Sequence, residues 1–372
     1  MQRPDVSLII STYQMPAHLR RVLASVARQT VVDRLEIIVS DDGSTDETAQ
    51  VVAEFAHRVN KPIGFLTRPH TGFHLTRCRN DGARIASAPY LLFLDGDCLL
   101  PADHVEQYLR CRRRAYAHFG YCVRLEREVS ARIQEPAIAS GEFVQWAPRA
   151  ELNKLHRLHY KALFYQWLGH ATKPVLKGGN IGIWRNDFER VNGFDENFRA
   201  WGCEDDDLSH RLRAAGTRIA SILGATRTYH LWHPPASTKP MAKWSEGPNV
   251  SYLQRPGRLT CCLNGLRKRR LDDLRALVQG TAEQCSVVQQ HLQRSNASQE
   301  AELEILFYPG AKGFTSQAQC RVLIANQPAC VPEALRRRAH VIVQAGPDMW
   351  SELFHGLHGV SAVESQAQRT AA

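Results

Sequence analysis

Asp95 and Asp97 flank Gly96 at the end of a short apolar run, Tyr90-Leu91-Leu92-Phe93-Leu94. A run of this kind after Pro89 reads as a buried strand, and ligands of open α/β sheets sit beyond the carboxyl ends of strands. Alternation along a strand aims both carboxylates to one side, and Gly96 lets the backbone bend or approach a ligand. Two such acids repel each other, so the pair invites a cation or a ribose hydroxyl; on its own, Asp-Gly-Asp is also an ordinary solvated turn. Asp41 and Asp42 leave a second strand end. They either cap the helix that follows or accept from the imide N–H of a planar base, on which Tyr13 would be placed to stack. Arg77 and Arg79 suit a diphosphate or a clamp on that base. Glu204, Asp205, Asp206 and Asp207 follow Trp201-Gly202-Cys203. Acids at a helix start complement its dipole, but four exceed what capping needs, and one suits a general base. His230 and His233, three apart near a strand end, fit either a structural or a metal-binding role.

These residues need a scaffold, and the hydrophobic pattern supplies one. Val6-Ser7-Leu8-Ile9-Ile10 predicts a strand, followed by a helix that opens at Pro16 and buries Leu19, Val22, Leu23 and Val26. Leu35-Glu36-Ile37-Ile38-Val39 predicts the next strand, and Ser44 with Glu47 makes a capping-box pattern for a helix to about Arg58. Strand and helix in alternation predict a parallel sheet with right-handed crossovers. Phe65-Leu66 reads as a short strand, and Arg77, Arg79 and Asn80 open a helix towards Ala86. Residues 102–176 read as mainly helical and basic. Within them His156, His159, Tyr160, Phe164, Tyr165 and Trp167 fall at helical spacing, as core packing or as a wall facing an acceptor. Gly178 and Gly179 lead into another strand, and the helix of Leu208 and Leu212 stops at Gly216. No phosphate-binding loop and no G-x-G-x-x-G follows any strand.

Composition narrows the class. The chain has 372 residues, 44% of them hydrophobic, and a formal net charge of +10. No run of about 18 apolar residues predicts a membrane-spanning helix, and 1–5 lack the apolar region of a signal peptide. Ten cysteines without C-x-x-C or zinc spacing are read as reduced thiols of a cytoplasmic protein. Basic clusters at 110–114, 267–270 and 336–338 are either solvated helix faces or contacts to an anionic surface. The expected organisation is one domain over 1–235, with a nucleotide half at about 1–100 and an acceptor half at 101–235. A basic, Pro-rich loop over 236–270 follows, then a C-terminal extension over 271–372. That extension is read as helical from 271 to about 294 and α/β-like beyond, with a disordered tail.

Ser11-Thr12-Tyr13, Asp41-Asp42-Gly43-Ser44, Arg79-Asn80, Asp95-Gly96-Asp97, Gly178-Gly179-Asn180, Gly193-Phe194-Asp195-Glu196 and Trp201-Gly202-Cys203-Glu204-Asp205 stand in this order. The ordered set resembles the family 2 glycosyltransferases of the GT-A fold over residues 5 to 235. With His230-Leu231-Trp232-His233-Pro234 added, it looks like the galactosyltransferase-type and chondroitin-synthase-type branch. The resemblance implies a Rossmann-like, mostly parallel α/β sheet flanked by helices. It implies that Ser11, Tyr13 and Asp41 hold uracil, that Arg79 holds the nucleotide, and that Asp95 meets the ribose. Gly179, Asn180 and Trp201 join them around the nucleotide-sugar. Asp97 binds a divalent cation, completed by His230 or His233 with His230 preferred. Asp205 is the base and Glu204 binds acceptor or donor sugar.

The implied reaction is inverting transfer from a UDP-sugar to a hydroxyl of a glycan or lipid-linked saccharide. Bacterial surface polysaccharide, lipopolysaccharide core or capsule, is the implied product class. Oxygen and imidazole ligands suit Mn²⁺ at least as well as Mg²⁺. Peripheral contact with the inner face of the plasma membrane is expected through the basic clusters. Three rivals differ in what they require. A sugar nucleotidyltransferase needs an N-terminal glycine-rich stretch that the sequence lacks. A basic nucleic-acid-binding protein leaves the Trp-Gly-x-Glu-Asp run without a purpose. A non-catalytic sugar-nucleotide binder should lack one of the two acidic sites.

Overall fold

The computed structural model describes residues 3–235, 247, 249–294 and 301–358. The chain forms two compact units, Met1–Val250 and Ser251–Ala372. In the first, the strands are β1 (Val6–Thr12), β2 (Leu35–Asp41), β3 (Gly64–Leu66), β4 (Tyr90–Asp95), β5 (Cys98–Leu99), β6 (Tyr116–Phe119), β7 (Cys122–Arg124), β8 (Asn180–Trp184), β9 (Arg218–Ser221) and β10 (Thr228–His230). Seven of them form a sheet in the order β3-β2-β1-β4-β8-β6-β9. The first four run parallel, β8 runs antiparallel to both neighbours, and β9 is parallel to β6. β5, β10 and β7 make a small second sheet.

The helices are α1 (Pro16–Ala27), α2 (Thr48–Val59), α3 (Leu75–Ile85), α4 (His104–Cys111), α5 (Arg127–Arg132), α6 (Glu135–Ser140), α7 (Arg149–Trp167), α8 (Arg185–Arg190) and α9 (Glu204–Ala214). Every residue of β1 is buried, as a strand covered on both faces by crossover helices must be. α1 buries Leu19, Val22, Leu23 and Val26, the face its apolar spacing predicts. Phe93 of β4 packs between Phe188 and Phe194, with ring centroids 5.2 and 5.4 Å away, so the core lies directly behind the strand that ends in Asp95.

Several expectations are corrected. The Ser44–Glu47 capping box does not form, because the Ser44 hydroxyl donates to Asp41 at 2.6 Å instead. Asp46 takes over and accepts from the Thr48 N–H at 3.0 Å. Residues 102–176 are mainly helical, as expected, with β6 and β7 lying between α4 and α5. Core packing of the 155–170 aromatics is overturned too. On α7 only Leu155 and Ala162 are buried, while Tyr160, Phe164 and Trp167 face solvent.

A single turn, α10 (Val250–Leu253), stands where the chain divides. The second unit holds a five-stranded parallel sheet in the order β12-β11-β13-β14-β15, from β11 (Arg275–Gln279), β12 (Gln293–Arg294), β13 (Leu303–Tyr308), β14 (Cys320–Ala325) and β15 (Val341–Gln344). The expected helix over 271–294 is therefore a strand, the short helix α11 (Ala282–Gln289) and a second strand. The expected tail lies outside the described residues, as do 236–246 and 248 of the 236–270 loop. The basic clusters do not all face outward. Arg269 is buried and meets Glu302 at 2.8 Å, while Arg112 and Arg114 lie over the Trp184 ring.

One ion pair tests the first unit. Arg211 Nε donates to Asp207 at 2.6 Å with both side chains fully buried, and Arg211 Nη1 also donates to the carbonyls of Val191 and Gly193. Breaking a buried pair leaves a charge without compensation, at a cost of about 3–5 kcal/mol. Arg211→Met is expected to destabilise the first unit by that amount in urea denaturation. Adding Asp207→Leu should restore part of it.

Candidate functional site

Hydrogen bonds fix the backbone where β4 ends. Asp95 N donates to the Gly179 carbonyl at 3.0 Å, Gly96 N to the Ser11 carbonyl at 2.8 Å, and Leu231 N to the Asp97 carbonyl at 2.9 Å. The acidic turn is thereby tied to β1, to the glycine turn before β8, and to the chain just past β10. Glycine is required on both sides of it. A Cβ on Gly179 would fall 1.8 Å from the Asp95 carboxyl carbon, and one on Gly96 would fall 2.9 Å from the Ser11 oxygen. Gly179 thus serves the site by giving Asp95 room.

Arg79 holds the first cluster. This α3 side chain is 2% exposed, and its guanidinium lies 3.1 Å from Asp95, 3.2 Å from Asp205 and 3.7 Å from Glu204. One cation therefore joins the end of β4 to the start of α9, 126 residues apart along the chain from Arg79 to Asp205. Its neighbour Asn80 donates to the Phe194 carbonyl and Glu196 and accepts from Phe194 N, fastening the turn that leads to α9. Burial raises the Asp205 carboxyl to about 8, aided by Glu204 and opposed by Arg79. Burial also raises Glu204, again opposed by Arg79. Both keep a little open surface, 17% for Asp205 and 12% for Glu204, so a bound molecule can reach them. The remaining acids divide: Asp207 is spent on Arg211, as above. The loop that delivers them is strained, with Ala200, Gly202 and Cys203 all at positive φ around Trp201, which is 37% exposed.

Asp97, His230 and His233 form a second cluster. Asp97 Oδ2 lies 3.1 Å from His233 Nε2 and 3.6 Å from His230 Nε2. Pairing of β10 with β5 sets His230 opposite Cys98, which brings the histidine beside Asp97. One ligand atom from each residue can be chosen so that all lie within 4.8 Å of one another. One carboxylate oxygen and two imidazole nitrogens are a fitting donor set for a divalent transition ion. Burial pushes Asp97 up, but the His233 hydrogen bond and the two imidazoles outweigh it and hold it below the ordinary carboxylate value. Both histidines, and not His230 alone, reach Asp97.

The strand ends of β1 and β2 carry the base-facing residues. Thr12 is in register with Asp41 and Ser11 with Asp95. Asp41 is buried and accepts from Gly43 N, Ser44 N, Ser44 Oγ and Thr67 Oγ1, at 3.2, 2.8, 2.6 and 2.7 Å. These contacts occupy its roughly four acceptor positions, so a base N–H would have to displace a hydroxyl. Asp42 is likewise taken by Arg68 and by His74 N. Tyr13 does stack, on His70, with centroids 4.2 Å apart and planes 15° from parallel. Asn180 is buried: its Oδ1 accepts from Tyr108 at 2.9 Å and lies 3.2 Å from His104 Nε2, so the side chain has core partners on these two residues.

Sequence reading missed His70, Arg68 and His18. His70 follows the carboxyl end of β3, where the rule for parallel sheets would have placed a site residue. The His18 ring stands 6.2 Å from that of His233, a proximity no spacing announces.

Comparison with known proteins bears on the segments that carry these residues. Residues 7–163 match the profile described as Glycosyl transferase family 2, and residues 158–234 match the N-terminal domain of galactosyltransferase. The chain is 33% identical over 233 residues to validoxylamine A glucosyltransferase of Streptomyces hygroscopicus subsp. jinggangensis, covering 57% of this chain and 52% of that one. It is 28% identical over 247 residues to chondroitin synthase of Escherichia coli, covering 60% and 34%. The chain thus spans about half the length, or less, of the curated relatives it matches. Among solved structures it is similar to S. aureus TarS in complex with UDP-GlcNAc, at 15% identity, 68% and 64% coverage and a TM-score of 0.46. The two family matches together run from residue 7 to residue 234, and they take in every residue of both acidic clusters. The chain carries a glycosyltransferase family 2 domain over residues 7–163, followed over residues 158–234 by a segment similar to the N-terminal domain of galactosyltransferase.

Proposed function

We propose that the protein is an inverting, metal-dependent glycosyltransferase that moves a sugar from a UDP-sugar to a hydroxyl of a glycan or lipid-linked saccharide. One observation carries this reading: two carboxylate clusters of different chemistry, Asp95, Glu204 and Asp205 around Arg79, and Asp97 with His230 and His233, meet at the end of β4. Asp97, His230 and His233 would hold a divalent cation, Mn²⁺ in preference to Mg²⁺. When bound, that cation supplies charge compensation for a departing diphosphate. Asp205, with a carboxyl raised by burial, accepts the proton of the acceptor hydroxyl, and Glu204 orients a sugar beside it. Arg79 keeps the two acids at the start of α9 aimed at the same space as Asp95. Attack from the side opposite the leaving group inverts the anomeric centre. Tyr13 and His70 form an aromatic ledge for the base, with Ser11 at the same sheet edge. The choice of UDP, and of bacterial surface polysaccharide as product, rests on the family resemblance of these segments. A panel of UDP-sugars, scored for Mn²⁺-dependent UDP release, tests the reading; no release from any member would overturn it.

Asp97→Ala is expected to abolish Mn²⁺ binding in calorimetry and transfer in the assay, with the unfolding midpoint unchanged. Mn²⁺ affinity equal to the unaltered protein's would remove Asp97 from the metal site.

Asp205→Asn is expected to keep donor affinity and to lower transfer by ~10²–10⁴-fold. A base must be deprotonated to act, so transfer by the unaltered enzyme should rise with pH through about 8. That limb should vanish from the residual activity of the variant.

Arg79→Met removes the cation facing Asp95, Glu204 and Asp205. It is expected to raise Asp205 further and move the same limb to higher pH, a displacement that a purely structural role for Arg79 would not produce.

A further inference from the structure

α7 buries one side and leaves the other unusually apolar. Its inner face is set by buried Leu155 and Ala162, by His159 Nδ1 at 3.1 Å from Ser221 Oγ, and by Gln166 Nε2 donating to the Ile219 carbonyl at 2.8 Å. The outer face therefore carries Tyr160, Phe164 and Trp167, at spacings of four and three along one helical stripe, with Leu163 alongside. Trp167 is 80% exposed, Tyr160 70%, Phe164 53% and Leu163 42%. A surface helix ordinarily turns polar residues outward. Contiguous exposed aromatics in such a place mark a contact surface.

Charge says what covers it. Lys154, Arg157 and Lys161 form a second stripe beside the aromatic one, at spacings of three and four. No Asp or Glu occurs from 152 through 186, whereas six Lys or Arg do. Basic residues flanking Trp, Phe and Leu on one helix are the make-up of a helix that lies in a bilayer interface. Trp and Tyr favour that depth because their rings are apolar while their N–H or O–H groups stay wet. No described helix is long and apolar enough to cross a membrane, so contact would be from one side.

We infer that the outer face of α7 docks on the surface of an anionic phospholipid bilayer, with Tyr160, Phe164 and Trp167 entering the headgroup region and the Lys154, Arg157 and Lys161 stripe meeting lipid phosphates. The inference does not depend on the transfer chemistry; it would place the enzyme where a lipid-linked acceptor lies.

The test is co-sedimentation of the full chain with phosphatidylcholine vesicles, with and without phosphatidylglycerol. The unaltered protein should bind the anionic vesicles and be released as salt rises. Tyr160→Ser/Phe164→Ser/Trp167→Ser should lower partitioning by at least about tenfold. Arg157→Glu/Lys161→Glu should remove the salt-sensitive part, and UDP release should stay unchanged in both. Brominated phosphatidylglycerol should quench tryptophan emission of the unaltered protein, and less so in Trp167→Phe, a comparison that needs no disruptive variant. Three results would overturn the inference: no binding to anionic vesicles, equal binding by the triple variant, or no quenching. A dimer in sedimentation velocity that the triple variant dissolves would also overturn it, by giving the face to a second copy.

Discussion

The site depends on one buried guanidinium. Arg79 is enclosed by the carboxylates of Asp95, Glu204 and Asp205, and its ring neighbour Phe194 lies 5.1 Å away. A charge removed from water in this way persists only where opposite charges surround it. The reverse also holds, because three carboxylates crowded at two chain ends would repel each other without it. Their mutual need makes α3, β4 and α9 a single construction. Asn80, the next residue, adds uncharged hydrogen bonds to the turn before α9, so position is held by geometry as well as by charge.

The cluster of Asp97, His230 and His233 has a different origin. Its members are brought together by strand pairing: β10 lies between β5 and β7, and the chain just beyond β5's acidic neighbour accepts and donates in register with it. This pairing sets His230 beside Asp97, and His233, three residues on, lies 3.1 Å from the same carboxylate. Strand pairing is stiff, which suits a set of ligands, whereas the Arg79 cluster stays responsive to protonation. The first unit thus sets a group of two imidazoles and a carboxylate near an acid whose carboxyl is raised by burial.

The second unit contributes a complete parallel sheet with its own core, in which Leu303, Ile305, Val322 and Ile324 are fully buried. Glu304 within it accepts from Thr315 and Ser316 backbone and hydroxyl groups, an acid used for structure.

Much was legible from the chain alone. Strands β1, β2, β4, β8, β13 and β14 announced themselves because a strand covered on both faces must be largely apolar. The helix starts at Pro16 and Glu204 followed from local rules, and the acids at 95, 97 and 204 to 205 stood out because carboxylates rarely gather at strand and helix ends without a use. What only the tertiary structure decided are the pairings. That Arg79 faces acids rather than only phosphate, and that Asn180 turns inward to Tyr108 and His104, depends on contacts between residues far apart in sequence. Whether Asp41 was open to a base turned on Thr67, 26 residues on. The 155–170 helix shows the same limit: its spacing reveals an amphipathic helix, but which face meets β9 and which meets solvent is a property of the packed sheet. Local propensity acts within a few residues and so can be read along the chain; burial and charge compensation act across space, and the folded chain alone brings their partners together.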